Sequence, residues 1–277
     1  MSIADTTDIA SRLGMIALIG GGKMGEAIIS GLVNGALFDQ EMIVVAEPNP
    51  ERREYLEAQY GIATVEDGAL IKHPTTCLLA VKPQLFREAV ATLAAVPTFD
   101  PERIISIVAG VTTATIQSFF PDQAVIRVMP NTPLMVGAGM SAIALSEGTP
   151  PSEGTLACEL FSLMGRAILL DEGLMNAATA INGSGPAYFA RIVLELARAG
   201  AQAGLDPEES LLLAQQTMAG TSRLLDIEGL SPEELIAAVK SPGGTTQAAL
   251  ESFDSTGLAQ VIEAAVQAAI TRAEELA

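Results

Sequence analysis

The stretch "ALIGGGKMGEAI", residues 17–28, decides the fold class of this 277-residue chain. It sets Gly20, Gly22 and Gly25 in the spacing G-x-G-x-x-G, directly after an apolar run (15–20) and at the start of a helix-like pattern. In that context the first glycine makes a tight turn, the second lets a pyrophosphate approach the backbone, and the third lets the helix pack closely on the strand. The stretch predicts a strand–turn–helix unit that binds a dinucleotide, and a tight turn without a ligand is the alternative.

The phosphates of such a ligand would rest on the positive N-terminus of the helix, where Lys23 and Met24 lie. A second apolar run ends in Glu47, where a carboxylate accepts hydrogen bonds from ribose hydroxyls and repels a 2′-phosphate. Arg52 and Arg53 follow closely, and an arginine there could bind that phosphate, although a solvated helix start is the other interpretation. We therefore expect NADH or NADPH as the cofactor, with a slight preference for NADH.

Short buried strands alternate with helix-like segments as far as about Leu170. After the first strand, the pattern predicts strands at "MIVVAE" (42–47), "TCLLAV" (76–81), "RIISIVAG" (103–110), "AVIRVM" (124–129), "GMSAIALSEG" (139–148) and "AILLDE" (167–172). This order predicts an α/β fold, a Rossmann-type doubly wound and largely parallel sheet with helices on both faces. We expect this dinucleotide-binding domain to span residues 15–172, with residues 1–14 as an N-terminal extension.

Long amphipathic stretches without strand patterns follow Glu172, which predicts an all-α domain over residues 173–277. One of its helices begins with Ser231 as the N-cap and Pro232 at the first helical position. These helices carry more apolar alanine and leucine than a small bundle can bury alone. The pattern therefore indicates a helical interface between copies of the chain.

Composition points to a protein that handles small molecules. The chain has 33 acidic against 15 basic residues and a net charge of −18, which argues against nucleic acid or an anionic membrane as a partner. Its start lacks the pattern of a signal peptide, and no apolar run reaches the roughly 20 residues that cross a bilayer. With two cysteines and one histidine, His73, we expect no metal site and a cytoplasmic location.

Four further stretches carry a family resemblance. They are "AVKPQ" (80–84), "RVMPNTP" (127–133), "NGSGPAY" (182–188) and "SPGGTTQAAL" (241–250). Together they closely resemble the pyrroline-5-carboxylate reductases, which reduce a cyclic imine to proline, and the resemblance covers nearly the whole chain after residue 14. The SPGGTT element is the most specific of them, whereas many dehydrogenases share the glycine loop.

The resemblance explains why SPGGTT interrupts a helical region. The family's substrate is a five-membered imine ring that bears a carboxylate, so an anion site is needed. The two glycines permit unusual dihedrals, and Gly244, Thr245 and Thr246 can aim their amides at one point before the next helix. The alternative is a turn that merely needs an N-cap. The resemblance implies that Ser241, Gly244, Thr245 and Thr246 contact the substrate, Thr245 through its backbone.

Thr246 matches the family threonine whose hydroxyl hydrogen-bonds the ring nitrogen, and it is our candidate catalytic residue. A threonine hydroxyl is too weak an acid to supply a proton at neutral pH. We therefore expect it to orient and stabilise the imine. The resemblance also places Glu172 near the substrate, and an exposed acid without a role is the other interpretation.

Cofactor contacts implied by the resemblance fall on Ala80, Val81, Lys82, Pro83, Ala109, Gly110, Asn131 and Ser184. Ser184 could also cap the long helix that follows. Asp67 takes a place where relatives often have asparagine near the adenosine, and an acid there conflicts with that contact.

The family commonly forms dimers through interlocked C-terminal helices and joins them into rings such as decamers, which implies a homo-oligomer. A β-hydroxyacid dehydrogenase of similar architecture is the main alternative. That chemistry uses a lysine or histidine on a helix after the nucleotide domain, and neither residue occurs between Asn182 and Ala199. A non-catalytic nucleotide sensor would not need an intact SPGGTT.

Overall fold

A computed structural model describes residues 3–34 and 38–276. Residues 1, 2, 35–37 and 277 lie outside the described residues, and the first two of them belong to the segment expected to be an N-terminal extension. By its contacts the chain divides into two units. The first runs to Ser184 and takes in the last residues from Ala269, and the second is Gly185–Ala268, so this division falls later than residue 172.

The first unit contains one eight-stranded sheet. Its strands are β1 (Ile16–Ile19), β2 (Ile43–Ala46), β3 (Ala63–Val65), β4 (Thr76–Leu79), β5 (Arg103–Ser106), β6 (Ala124–Met129), β7 (Gly139–Leu145) and β8 (Gly165–Leu169). They lie in the order β3-β2-β1-β4-β5-β6-β7-β8, and every neighbouring pair is parallel except β6–β7. The prediction of a largely parallel α/β sheet is confirmed, and β3 is a strand that the sequence did not predict.

Helices cover both faces of this sheet. They are α1 (Ile3–Leu13), α2 (Lys23–Asn34), α3 (Pro50–Tyr60), α4 (Phe86–Ala94), α5 (Thr113–Gln117), α6 (Pro151–Ser162) and α7 (Met175–Ala178). All residues of β1 are buried, and they alternate between two cores. Leu18 packs in the core that contains α2 and α3, whereas Ala17 and Ile19 pack in the core that contains α4. A run that is apolar throughout fits a strand covered on both sides.

The segment expected to be an extension packs into the first unit. Helix α1 buries Ile9 and Leu13 in the core beside α6. The carbonyl of Leu13 accepts a 2.7 Å hydrogen bond from the Thr76 hydroxyl, and Arg12 forms a 2.8 Å ion pair with Glu159. The described part of this segment is therefore a structural element of the first unit.

The second unit is entirely helical in its described elements, as the sequence predicts. Its helices are α8 (Gly185–Gln202), α9 (Pro207–Glu228), α10 (Pro232–Val239) and α11 (Thr245–Ser255), and α12 (Leu258–Leu276) runs on into the last residues. Ser231 caps α10 in a capping box with Glu234. Across the described residues, no helix is both long and apolar enough to span a bilayer.

Few apolar side chains of the second unit are buried. Its buried cluster consists of Val193, Ala197 and Ala214. Large apolar side chains are exposed along the same helices, among them Phe189, Ile192, Leu212, Leu213, Ile227, Val261 and Ile262. So much exposed apolar surface marks an interaction site.

Candidate functional site

The glycine loop forms a cradle at the carboxyl end of β1. Gly20 has φ +106°, and a Cβ there would lie 2.7 Å from the carbonyl oxygen of Ala80. A Cβ on Gly25 would lie 2.2 Å from the carbonyl oxygen of Gly20, so the helix packs directly on the loop. Gly22 is exposed, and a Cβ on it would meet nothing within 4 Å. The open face at Gly22, beside the first amides of α2 at Lys23 and Met24, fits the phosphates of a dinucleotide.

Glu47 follows β2 directly and holds this loop. Its Oε2 accepts a 3.0 Å hydrogen bond from the amide of Gly21, and its Oε1 accepts one of 3.0 Å from the amide of Asn49. Each carboxylate oxygen has lone pairs for a further hydrogen bond. The geometry therefore leaves room for the ribose contact expected from the sequence and adds a role in shaping the glycine loop.

Arg52 is partly buried and bonded within the protein, so the interpretation of it as a solvated helix start is wrong. Its side chain is 25% exposed, and its Nη2 lies 2.5 Å from Oε2 of Glu26. Its Nε donates a 2.7 Å hydrogen bond to the carbonyl of Gly21, and its guanidinium lies 4.9 Å from the ring centre of Tyr55. Arg53 donates through Nη1 to the carbonyl of Glu47 at 2.8 Å.

Glu26 lies in the first turn of α2, and sequence reasoning missed it as a site residue. Its Oε1 accepts hydrogen bonds from the hydroxyls of Tyr55 at 2.9 Å and Tyr60 at 3.1 Å. Burial acts to raise the pKa of Glu26, but the hydrogen bonds from Arg52 and the two tyrosines outweigh it and lower the pKa below its usual value. The only sequence signal was an acid in a first turn.

The other loops expected to meet the cofactor lie at the same edge of the sheet, because they follow neighbouring parallel strands. Residues 80–83 follow β4, and Ala109 and Gly110 come shortly after β5. Asp67 is exposed after β3, and its Oδ1 accepts a 2.9 Å hydrogen bond from the amide of Ala69. Crevices at this edge are where open α/β sheets bind their ligands.

Asn131 uses its side-chain amide within the protein. Its Oδ1 accepts a 2.8 Å hydrogen bond from the amide of Met140, and its Nδ2 donates to the carbonyl of Asn182 at 3.1 Å. Asn182 donates in return to the carbonyls of Met129 at 2.8 Å and Met140 at 3.0 Å. This pair fastens β6 and β7 to the turn that ends at Ser184. The structure supports a structural role for both asparagines, and sequence reasoning missed Asn182.

Glu172 pairs with a buried arginine that sequence reasoning also missed. Its Oε1 accepts hydrogen bonds from Nη1 of Arg127 at 2.8 Å and from the amide of Thr113 at 3.2 Å. The Arg127 side chain is 5% exposed, and that of Glu172 is 29% exposed. The interpretation of Glu172 as an exposed acid without a role is wrong. The arginine in the middle of the apolar run "AVIRVM" was the available signal.

We predict that Glu172→Gln lowers the free energy of unfolding by about 3 kcal/mol, because the buried Arg127 loses its countercharge. Urea denaturation at neutral pH measures the change. Asp171→Asn removes the same charge from an exposed neighbour and serves as the matched control. Unchanged stability together with a raised KM for the cyclic imine that the resemblance implies would show that Glu172 serves the substrate and not the fold.

The SPGGTT turn lies between α10 and α11 in the second unit. Gly243 has φ +71°, a left-handed conformation that favours glycine. The amide of Gly244 donates to the carbonyl of Ser241 at 3.0 Å, and Gly244 is the N-cap of α11. Helix α11 begins with Thr245 and Thr246, and its N-cap, being glycine, has no side chain to cap the first turn. The Oε1 of Gln247 accepts a 2.8 Å hydrogen bond from the amide of Gly243, just before the N-cap. Amides in such a first turn lack partners within the helix and can bind an anion.

Two family models match the chain. The one described as pyrroline-5-carboxylate reductase dimerisation matches residues 172–276. The one described as NADP oxidoreductase, coenzyme F420-dependent, matches residues 15–110. Together they span the glycine loop and the SPGGTT turn.

Similar proteins agree along almost the whole chain. A pyrroline-5-carboxylate reductase from Synechocystis sp. is 40% identical over 94% of this chain and 97% of its own length. A solved structure of a pyrroline-5-carboxylate reductase from Coxiella burnetii is 31% identical, covers 96% of this chain and 99% of that chain, and superposes with a TM-score of 0.89. The Plasmodium falciparum pyrroline carboxylate reductase, solved with NADP bound, is 25% identical over 96% of this chain and 98% of that chain, with a TM-score of 0.80. The chain belongs to the pyrroline-5-carboxylate reductase family.

Proposed function

We propose that the protein reduces 1-pyrroline-5-carboxylate to L-proline with hydride from NADH or NADPH, the last step of proline biosynthesis. The observation that carries the proposal is the presence, in one chain of this family, of an open glycine cradle and an SPGGTT helix start whose N-cap is a glycine without a capping side chain. The cradle fits a dinucleotide, and the helix start fits a small carboxylate.

The reaction adds a hydride to the imine carbon and a proton to the ring nitrogen. A bound dihydronicotinamide supplies the hydride. The amide of Gly244 already donates to the carbonyl of Ser241, so the expectation that it also binds the substrate is corrected. In our proposal the amides of Thr245 and Thr246, beside Ser241 and Gly244, hold the substrate carboxylate, and the Thr246 hydroxyl holds the ring nitrogen. The proton comes from solvent or arrives on the imine, because a threonine hydroxyl is too weak an acid to provide it. The chain contributes placement and electrostatics, which are the usual protein contribution to cofactor chemistry.

The proposed cofactor contacts follow the loops at the carboxyl edge of the sheet. They comprise Gly20, Gly22, Lys23, Met24, Gly25, Glu47, Asp67, Ala80, Val81, Lys82, Pro83, Ala109, Gly110, Asn131 and Ser184. The exposure of Gly22 and Lys23 and the left-handed backbone of Gly110 support this set. For Asn131 the proposed contact cannot depend on the side-chain hydrogen bonds alone, because its Oδ1 and Nδ2 are both already bonded within the protein. Both NADH and NADPH are proposed as cofactors, with NADH slightly preferred because Glu47 stands at the ribose position.

The proposed assembly is a homodimer built through the helices of the second unit, with dimers joined into a larger ring such as a decamer. The exposed apolar side chains of α8, α9 and α12 support an interface there, and the family model for this region is one of dimerisation. We propose that this homo-oligomer works in the cytoplasm and has no nucleic-acid partner, in keeping with its net charge of −18.

The test is an assay of the purified full-length protein with pyrroline-5-carboxylate and either NADH or NADPH. We expect the imine to drive oxidation of both cofactors, followed by loss of their absorbance, and L-proline to accumulate in equal amount. A preparation that binds the nucleotides but leaves the imine unreduced would contradict the proposal. Oxidation of a 3-hydroxyacid by the same preparation would favour the hydroxyacid dehydrogenase alternative instead.

A further inference from the structure

Two arginines follow the carboxylate that is proposed to bind the ribose, and one of them, Arg52, forms an ion pair with a different acid, Glu26. The guanidinium of Arg52 contacts Glu26 through Nη2 and the carbonyl of Gly21 through Nε, and it stacks on Tyr55. An arginine at this position of a dinucleotide fold is the group that accommodates a 2′-phosphate. Here the edge formed by its Nε and Nη2 is directed at the protein.

Glu26 is itself fixed in place. It is 19% exposed, and its two carboxylate oxygens divide their bonds between Arg52 on one side and the hydroxyls of Tyr55 and Tyr60 on the other. A carboxylate with this many donors is held as an anion. The pair of Glu26 and Arg52 therefore has no net charge, and the guanidinium has little attraction left for a phosphate dianion.

The Glu26–Arg52 ion pair and Glu47 both contact Gly21 of the glycine loop. Glu47 accepts the amide hydrogen of Gly21, and Arg52 donates to the carbonyl of Gly21. Both groups therefore act at the point where the glycine loop meets the end of β2. Glu47 places a negative charge at this point. Arg52 places a positive charge there, which the ion pair with Glu26 neutralises.

We infer that Glu26 is a specificity-determining residue, which disfavours NADPH by holding Arg52 in an ion pair. This inference rests on the proposed nicotinamide cofactor site and adds a second acid to the preference that Glu47 implies. Glu26 acts through Arg52 and is a positioning residue. Removing its charge frees the guanidinium for a 2′-phosphate while Glu47 remains in place.

The test is the affinity of the full-length protein for adenosine 2′,5′-bisphosphate relative to adenosine 5′-monophosphate, measured by isothermal titration calorimetry. These probes differ by the 2′-phosphate alone and need no turnover. Glu26→Gln is expected to raise the ratio of the two affinities about tenfold, the size of one charge-assisted hydrogen bond. Glu26→Gln combined with Arg52→Gln is expected to lose this gain. Glu54→Gln removes the same charge from an exposed position on α3 and is expected to shift the ratio by less than about twofold.

Each outcome decides something. An unchanged ratio in Glu26→Gln, or an equal gain in the double variant, would overturn the inference while imine reduction could stand. If Glu26→Gln does not fold, the ratio of the two affinities in the single variant Arg52→Gln tests the inference. A tenfold fall in its ratio would show that Arg52 already binds the phosphate, whereas the inference expects less than about a threefold change. Failure of the wild type to bind either probe would overturn the cofactor site, and the proposed function with it.

Discussion

Replacing Thr246 by valine is expected to lower kcat for imine reduction about a hundredfold, the usual cost of removing one hydrogen-bond donor from a polar transition state. Valine keeps the branched shape of threonine and loses only the hydroxyl. Thr246 lies in the first turn of α11, whose amides remain in the variant, so the proposed contacts to the substrate carboxylate are expected to remain. Steady-state kinetics with pyrroline-5-carboxylate measure kcat and KM for the imine. A fluorescence titration with NADH checks that cofactor binding is retained.

The neighbouring threonine provides the matched control. Thr245→Val makes the same change one residue earlier, where the proposed contact comes from the backbone amide, and it is expected to lower kcat far less. Thr246→Ser restores a hydroxyl and should recover most of the activity. If Thr246→Val turned over at the wild-type rate, the hydroxyl would have no part in the reaction, and the turn would act through its amides alone.

Most of the sheet could be predicted because buried parallel strands are apolar throughout and are punctuated by turns. The exceptions have physical causes. Strand β3 has only three residues, one of them exposed, so it carries no apolar run. Helix α1 was not predicted because its sequence is largely polar. Among its described side chains, Ile9 and Leu13 are buried, and they lie one helical turn apart. A pattern of that length does not distinguish a docked helix from a loose extension.

The candidate site divides in the same way. The glycine loop could be predicted from sequence because its requirements are local, such as the left-handed turn at Gly20. The ion pairs could not be predicted, since Glu26 and Arg52 are 26 residues apart and Arg127 and Glu172 are 45 apart. Their meeting depends on how the helices pack on the sheet, which no periodicity encodes. Both ion pairs also change the interpretation of Arg52 and Glu172, which the sequence had already singled out as candidate residues.

Gly25→Ala is expected to raise the Kd for NADH more than about a hundredfold and to lower the free energy of unfolding by about 2 kcal/mol. The new Cβ would lie 2.2 Å from the carbonyl oxygen of Gly20 and 3.3 Å from a methyl of Leu18. Because the nearest atom is backbone, it cannot swing away, so α2 must shift and carry its first-turn amides with it. Those amides are the proposed phosphate contacts, and a shift of the helix removes them together.

Two other glycines separate the affinity loss from the stability loss. Gly31→Ala lies on the same helix, and its Cβ would clash with the flexible side chain of Met164, at 2.3 Å from Cγ. That variant is expected to lose stability and keep the Kd for NADH. Gly22→Ala adds a Cβ that meets no protein atom within 4 Å, so it should keep stability and weaken NADH, whose pyrophosphate needs that open face. Gly25 is required only because α2 contacts the glycine loop at this residue. If a folded Gly25→Ala protein bound NADH with wild-type affinity, the close approach of α2 to the loop would not determine cofactor binding.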